Sequence, residues 1–182
     1  VREAVLKNEA PRPEAEQAAA RALAIAPRRA EPWLVLGVLR IAQNNYTEAD
    51  SAIVHALTLN PSYSPAVWSR ISILLHDNKI SQAQAAAEAA VVKNIWPDKP
   101  NDLQFLFDLY ATKQNYQAIV GLLDKATGRY ADNTSFQFTA ANAYVRLGDM
   151  AKARSILRVL QQYPGEVSQE QVDALLEALP PQ

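Results

Sequence analysis

A small residue recurs along this chain at a nearly constant spacing, and this period limits the fold more than any other feature. The recurring residues are Ala15, Ala49, Ala83, Ala118 and Ala153, and their spacings are 34, 34, 35 and 35 residues. The local strings agree as well: PRPEA, NYTEA, KISQA, NYQA and DMAKA. Self-similarity at such a period indicates a repeat array, in which each unit buries its apolar face against a neighbour.

One unit, residues 30–61, predicts two helices joined by a tight turn. Its first half has apolar residues at helical spacing, and its second half carries another such stripe: Ala49, Ala52, Ile53, Ala56 and Leu57. Thr47 is the expected cap of the second helix, and Pro61 follows the end of that helix. Five glycines are few for a protein rich in β-turns, and alanine is abundant, so the composition also favours helices.

The unit resembles a tetratricopeptide repeat (TPR), whose pattern is W-x2-L-G-x2-Y, then A-x3-F, then P. The matching residues are Trp33, Leu36, Gly37, Ala49, Ala56 and Pro61. Two positions depart from the pattern, because Arg40 stands where Tyr is usual and Ile53 replaces Phe. Later repeats are more degenerate at the glycine position, which holds Ile71, Leu106 and Ala141.

The resemblance implies an all-α fold: a right-handed α-solenoid of about five TPR helix hairpins plus a C-terminal capping helix. We predict a single TPR domain over residues 1–182, with repeats at about 1–27 (partial), 30–61, 64–97, 99–132 and 134–164, and a capping helix at 168–179. The first helix, about 1–9, lacks its opening turn, so the chain is expected to be part of something longer. Ser168 and Gln171 predict a capping box at the start of the last helix.

Two local features need a structural reason. Gly37 lies inside the apolar string WLVLGVL, where glycine costs a helix about 1 kcal/mol relative to alanine. We expect it to allow close approach of the partner helix near Ala49 and Ala52. The stretch NIWPDKPND, residues 94–102, holds two prolines and is expected to interrupt the array locally and to alter its superhelical pitch.

Composition argues against several classes of function. The chain has no cysteine, a net charge of −1 and no run of like charge, which excludes disulfides and thiolate metal sites and gives no nucleic-acid patch. No sequence motif for a protease, hydrolase, phosphate-binding loop or calcium site occurs. The two histidines, His55 and His76, fall in different repeats. We therefore predict no catalytic residue, no cofactor, no metal and no direct membrane insertion.

The resemblance implies that the first helices of successive repeats line a concave groove. The groove residues it predicts are Leu34, Val38, Ile41, Trp68, Ser72, Leu75, His76, Leu103, Phe107, Tyr110, Phe138, Asn142 and Arg146. Only Asn142 and Arg146 have the chemistry of the carboxylate clamp found in chaperone-binding TPRs, which argues against a clamp. The groove is otherwise apolar and predicts an apolar peptide or helix as its ligand. The alternative for each aromatic or aliphatic residue is a place in the core.

The leading functional hypothesis is a non-enzymatic protein–protein interaction scaffold. One alternative is a soluble appendage of a larger bacterial envelope protein, because NPSYSPA, KPNDLQFLFDLY and YADNTSFQFTAANAYVRLGDMAKA resemble TPR parts of polysaccharide polymerases and of secretion or pilus-assembly systems. Another is self-association through an uncovered end of the solenoid. The alanine-rich composition indicates a bacterial origin and leaves both cytoplasm and periplasm open.

Overall fold

The chain folds into antiparallel α-helices. A computed structural model describes residues 13–126, 128–130, 133–163, 165 and 167–180, and these residues contain helices and turns but no strand. They fall into two compact units, residues 1–102 and 103–182. The predicted all-α class of helical hairpins is confirmed. The expected first helix at 1–9 lies outside the described residues, and the single-domain arrangement stays a prediction.

The first unit contains five described helices. They are α1 (Pro13–Ile25), α2 (Ala30–Ala42), α3 (Tyr46–Leu59), α4 (Ser64–His76) and α5 (Ile80–Val92), and each packs on the next along the chain. The core between α2, α3 and α4 includes Leu34, Ile53 and Ile73 together with several alanines. The small side chains allow the helix backbones to approach, while the larger ones supply most of the buried apolar area.

The second unit repeats this arrangement. After a 3₁₀ helix, Pro100–Leu103, its helices are α6 (Gln104–Thr112), α7 (Tyr116–Lys125), α8 (Thr134–Leu147), α9 (Met150–Gln162) and α10 (Gln169–Glu177). The predicted capping box is confirmed, because the Ser168 hydroxyl accepts from the Gln171 backbone N–H at 3.2 Å and the Gln171 side chain accepts from the Ser168 N–H at 3.4 Å. Val172 of α10 is buried in the core of this unit with Leu157 and Leu160.

The turn inside each hairpin has the same backbone form. One residue adopts a left-handed conformation, and these residues are Asn44 (φ 58°), Asn78 (φ 59°), Gln114 (φ 54°) and Gly148 (φ 82°). The next residue donates its N–H to the carbonyl five positions earlier, at 2.8 to 2.9 Å in the four turns. This pairing is a Schellman motif, which satisfies carbonyls at the end of the first helix of the hairpin.

The N-caps that follow these turns correct the sequence alignment of the repeats. They are Asn45, Lys79, Asn115 and Asp149, spaced by 34, 36 and 34 residues. The residue four positions after Asn115 is therefore Ile119, which is buried, whereas Ala118 is only half-buried. The prediction that Ala118 is the repeat equivalent of Ala49 is wrong. The unit that contains the two prolines is two residues longer than its neighbours, so the equivalent residue is Ile119.

The cap of α3 also differs from the prediction. The Asn45 side chain accepts from the backbone N–H of Glu48 at 3.2 Å, so Asn45 caps the helix. Thr47 already lies within α3 and is not its cap. The same role falls to Asn115 and Asp149 in the second unit, where each side chain accepts from the N–H three residues later. A capping side chain at this place recurs in three of the four described hairpins.

Gly37 of α2 lies directly against α3. A Cβ added there would be 2.5 Å from Cγ1 of Ile53 and 3.3 Å from the carbonyl oxygen of Ala49. The expected closeness to Ala49 is confirmed, but the nearest side chain is that of Ile53 and not of Ala52. The space between the helices favours glycine here, since a Cβ at this position would collide with the buried Ile53 side chain unless one of them moves.

The proline-containing stretch interrupts the helices as expected. Residues 94–99, here called the strap, are non-helical and follow Lys93, the C-cap of α5. Ile95, Trp96 and Pro97 are buried. The strap is tied to α4 by the Ser64 hydroxyl, which donates to the carbonyl of Trp96, and by the indole N–H of Trp68, which donates to the carbonyl of Ile95 at 3.1 Å. The predicted change in superhelical pitch stays a prediction.

Candidate partner-binding groove

An open apolar groove of about 540 Å³ lies in the first unit. One wall is α2, the other is the start and middle of α4, and the strap with the following 3₁₀ residues forms a third side. The lining residues are Leu34, Val35, Val38, Ile41, Tyr63, Pro65, Trp68, Ser69, Ser72, Asp98, Lys99 and Asp102. Five of the residues predicted from the sequence, Leu34, Val38, Ile41, Trp68 and Ser72, therefore lie on one surface.

The α2 wall comes from an apolar stripe on a single helix face. Positions 34, 38 and 41 recur every three or four residues, which places them on the same side of α2. Leu34 is buried and belongs to the core of the unit, while Val38 and Ile41 are half-buried and pack against that core. Val35 lies beside them and is 40% exposed. The wall therefore has a fixed base and an accessible apolar edge.

The α4 wall is built around Trp68, whose side chain is only 4% exposed. Its indole N–H is satisfied by the strap, so the ring is fixed with one edge against the strap and one surface toward the groove. The Ser72 hydroxyl donates to the carbonyl of Trp68 at 3.0 Å, which satisfies it within its own helix. The donor groups of Trp68 and Ser72 therefore already have hydrogen-bond acceptors within the protein, and a ligand need not supply them.

The third side carries the charge of the groove. Among the described residues that line it, Asp98, Lys99 and Asp102 are the charged ones. Sequence reasoning missed them because it assigned the groove to first helices alone. The two prolines gave the available signal, since they marked a non-helical segment that has to run over the surface of a neighbouring helix.

The other predicted residues of the first unit lie outside this lining. Leu75 is half-buried and His76 is exposed, near the end of α4. The His76 ring stacks on Tyr46, with centroids 3.5 Å apart and planes at 15°. Hydrogen bonds from Lys79 and from the His76 imidazole hold the pKa of Asp77 below its ordinary value. These contacts give the end of α4 a structural role in the hairpin turn.

The predicted residues of the second unit divide between core and surface. Leu103, Phe107 and Tyr110 are buried, and Phe107 is 1% exposed with its ring 4.8 Å from that of Phe136 in an edge-to-face arrangement. Phe107 and Tyr110 lie at helical spacing on α6, and Leu103 ends the 3₁₀ helix before it, so these side chains pack against their neighbours in the interior. Their role in partner binding stays a prediction.

The three predicted residues on α8 differ in exposure. Phe138 is half-buried and packs on the core cluster of the second unit. Asn142 and Arg146 are exposed one turn apart, and the Asn142 side chain donates to the carbonyl of Phe138 at 3.0 Å. Their role in binding stays a prediction.

Charged contacts away from the groove link the first three helices. Arg40, at the position where TPRs usually have Tyr, pairs with Glu16 of α1 at 3.0 Å and with Glu48 of α3 at 2.7 Å. Gln43 also donates to Glu16, at 2.6 Å. The hydrogen bond from Gln43, followed by that from Arg40, holds the pKa of Glu16 below its ordinary value. Arg40 thus links α2 to α1 and to α3 through ion pairs.

Among the described residues, no group of three or more histidine or acidic side chains is arranged to hold a metal ion. The histidines are separately engaged: His55 lies against Trp33 with centroids 4.0 Å apart, and His76 lies on Tyr46. None of the helices in the described ranges is long and apolar enough to cross a membrane.

The comparisons with known proteins concern the fold. No protein-family model matches the sequence, and a comparison with curated proteins finds no match. Among solved structures, the chain is similar to a chain in the crystal structure of the APC/C hetero-tetramer Cut9–Hcn1, at 14% identity and a TM-score of 0.43. The match covers 87% of this chain and 38% of that chain, so this chain spans less than half of that neighbour's length. The helices and turns described above define an all-α protein built of helical hairpins.

Proposed function

We propose that this chain is a non-enzymatic protein–protein interaction scaffold whose groove binds an apolar peptide or one face of a partner helix. The observation that carries the proposal is the open groove in the first unit, where apolar side chains of α2 and α4 converge around the accessible edge at Val35. Two α-helices with an apolar channel between them are a common receptor for an amphipathic helix.

The size of the groove supports a short ligand. Its volume of about 540 Å³ lies within the roughly 300–1,000 Å³ of typical ligand clefts. Burying one large aliphatic side chain contributes about 1.5–3 kcal/mol, and association costs at least about 4 kcal/mol in lost freedom of motion. Affinity in the micromolar range corresponds to about −8 kcal/mol, so the apolar contacts must contribute about 12 kcal/mol in total, and at least about four anchoring side chains are needed.

The test uses a synthetic amphipathic helical peptide with leucines on one face and glutamines elsewhere, labelled for fluorescence anisotropy. Val35→Gln places a polar amide in the groove, whereas Val92→Gln makes the same change at a residue that is 76% exposed and outside the lining. We expect Val35→Gln to weaken binding about tenfold, because an apolar contact is lost. Val92→Gln is expected to leave binding unchanged. Equal effects of the two substitutions would remove the groove from the proposal.

The remaining alternatives stay predictions from the sequence. A bacterial origin and an appendage of an envelope protein rest on sequence strings, and sequencing the gene that encodes this chain tests them. Self-association has a direct test in the molecular mass over a range of concentrations, where a strictly monomeric chain contradicts it.

A further inference from the structure

We propose that the groove binds its ligand only while the strap is held against α4, and that Ser64 is a positioning residue that holds it there. The inference rests on the proposed function and adds its regulation, because a bound ligand and a released strap then exclude each other. Ser64 is the first residue of α4 and is not among the residues that line the groove. It acts through the strap, which contributes Asp98 and Lys99 to the third side of the groove.

The strap is an irregular segment whose middle residues, Ile95, Trp96 and Pro97, are buried. A buried backbone outside helices and sheets needs other donors for its carbonyl groups, because an unpaired buried carbonyl costs free energy. Side chains of α4 supply two such donors. The Ser64 hydroxyl donates to the carbonyl of Trp96, and the indole N–H of Trp68 donates to the carbonyl of Ile95 at 3.1 Å. The held position of the strap therefore depends on these two side chains.

The bond from Ser64 lies between a fixed turn and the exposed end of the strap. On one side, the Ile95 N–H donates to the carbonyl of Ala90 at 2.8 Å, which joins the start of the strap to α5. On the other side, Asp98 and Lys99 are exposed and line the groove. Loss of the Ser64 bond is therefore expected to affect the lining residues more than the turn.

Ser64 can be changed without removing a helix cap. Serine near the start of a helix usually caps it, but the N-cap of α4 is Tyr63, which makes no side-chain capping hydrogen bond. The hydroxyl of Ser64 donates to the strap instead. Ser64→Ala consequently removes a bond to the strap and leaves the start of α4 otherwise as it is.

The expected size of the effect follows from the loss of one hydrogen bond. A typical intramolecular hydrogen bond shifts an equilibrium by about two- to tenfold, so Ser64→Ala is expected to raise the population of the released strap by that factor. Burial of the apolar side chains of Ile95 and Trp96 still favours the held position. A ligand that binds only the held form lowers the released population, by about tenfold when its concentration is ten times its dissociation constant.

The first experiment measures amide hydrogen exchange in the full chain by NMR. The amides of Ile95 and Trp96 report on release of the strap, and that of the fully buried Ile53 in α3 reports on unfolding of the unit. We expect Ser64→Ala to speed exchange at the strap about two- to tenfold. Ser51→Ala is the matched control, since the Ser51 hydroxyl also donates to a main-chain carbonyl, at 3.0 Å, but within α3. It is expected to leave exchange at the strap unchanged.

A second pair of variants removes an indole donor. Trp68→Phe keeps an aromatic ring and deletes the N–H that donates to the strap. Trp33→Phe makes the same change where the N–H donates to the carbonyl of Pro27 at 2.9 Å, between α1 and α2. We expect Trp68→Phe to speed exchange at the strap relative to exchange at Ile53, and Trp33→Phe to leave this ratio unchanged.

The last experiment adds the leucine peptide used to test the proposed function. At ten times its dissociation constant, we expect the peptide to slow strap exchange about tenfold, both in the unmodified chain and in Ser64→Ala. A purely structural role of Ser64 would change the exchange rate of the strap but would not make that rate depend on the peptide.

The outcomes distinguish this inference from the function on which it rests. If strap exchange in Ser64→Ala is as slow as in Ser51→Ala, Ser64 does not hold the strap, and the inference is overturned. If the peptide binds while strap exchange stays faster than that of Ile53 and does not respond, the groove does not need the strap. The inference is then overturned and the proposed function stands. If the peptide does not bind, the proposed function fails together with the inference.

Discussion

Replacing Gly37 by alanine provides the sharpest test of how the first hairpin is packed. The change adds one methyl group to α2 on the side that faces α3. That methyl carbon would lie 2.5 Å from Cγ1 and 3.1 Å from Cδ1 of Ile53, and 3.3 Å from the carbonyl oxygen of Ala49. Real Cβ contacts are not as short as the first of these distances, so the helices or the isoleucine must move.

Two opposed effects set the expected free energy of unfolding. Alanine gains about 1 kcal/mol of helix propensity over glycine. Overpacking a closed core costs about 1–3 kcal/mol, and this site has little room to relax, because Ile53 is 0% exposed and Cγ1 is not the free end of its side chain. We therefore expect Gly37→Ala to lower the free energy of unfolding by about 1 kcal/mol.

Gly121 offers a matched control in α7. No heavy atom lies within 4 Å of a Cβ added there, so Gly121→Ala brings the propensity gain without a collision. We expect it to raise the free energy of unfolding by up to about 1 kcal/mol. The same chemical change thus has opposite signs at the two sites.

Urea unfolding is the assay, with one probe for each unit. All three tryptophans, Trp33, Trp68 and Trp96, fall in the first unit, so their fluorescence follows its unfolding. Circular dichroism follows the helices of both units. We expect Gly37→Ala to lower the urea midpoint of the fluorescence transition. Gly121→Ala is expected to leave that midpoint unchanged and to raise the midpoint of the circular dichroism transition of the second unit.

A double-mutant cycle with Ile53→Ala identifies the colliding group. The single change Ile53→Ala is expected to cost about 2–5 kcal/mol, because it opens a cavity in the core. In its presence the added methyl group at position 37 fills space, so Gly37→Ala is expected to become stabilising. Additive effects, or a Gly37→Ala variant as stable as Gly121→Ala, would refute the packing argument.

Three further predictions concern turns, caps and pH. Gln114 and Gly148 both have a left-handed backbone, which glycine adopts more easily than other residues. We therefore expect Gln114→Gly to raise the free energy of unfolding by about 0.5–1 kcal/mol and Gly148→Ala to lower it by about 1 kcal/mol. Thermal unfolding of the two variants measures both changes. Ser168→Ala removes the capping box of α10 and is expected to cost about 1 kcal/mol, which amide hydrogen exchange in that helix measures. The depressed pKa of Asp77 means that its contribution to stability is present above its ordinary pKa and lost as the pH falls through the lowered value. Lys79→Met is expected to raise the pKa of Asp77 toward the ordinary value, as followed by NMR of the carboxyl carbon; an unchanged pKa would contradict the assigned cause.

Much of the fold could be predicted from the sequence because its period is carried by short-range packing. Gly37 and Ala49 marked a close contact between two helices, and the structure places them there. The register failed at Ala118, since an alanine one position from the correct place cannot be told from the recurring one by spacing alone. The Schellman turns fix the register, but left-handed Gln114 has no strong sequence signal, because glutamine rarely adopts that conformation.

The candidate site was predictable only in the first unit. Leu34, Val38 and Trp68 follow from helical periodicity, and they line the groove. Phe107 has the same kind of pattern and is buried, because an apolar stripe has the same spacing whether it meets core or solvent. The strap was recognisable from its prolines, but its path along α4 depends on the hydrogen bond from Trp68, a tertiary contact between residues 27 positions apart.

The most direct test of the account is an NMR measurement of contacts between the methyl groups of the bound leucine peptide and those of the protein. We expect intermolecular nuclear Overhauser effects from the peptide leucines to Val35, Val38 and Ile41, and to the Trp68 ring. Contacts confined to exposed aliphatic residues elsewhere, such as Leu147 and Val159 of the second unit, would contradict the assignment of the groove as the binding site.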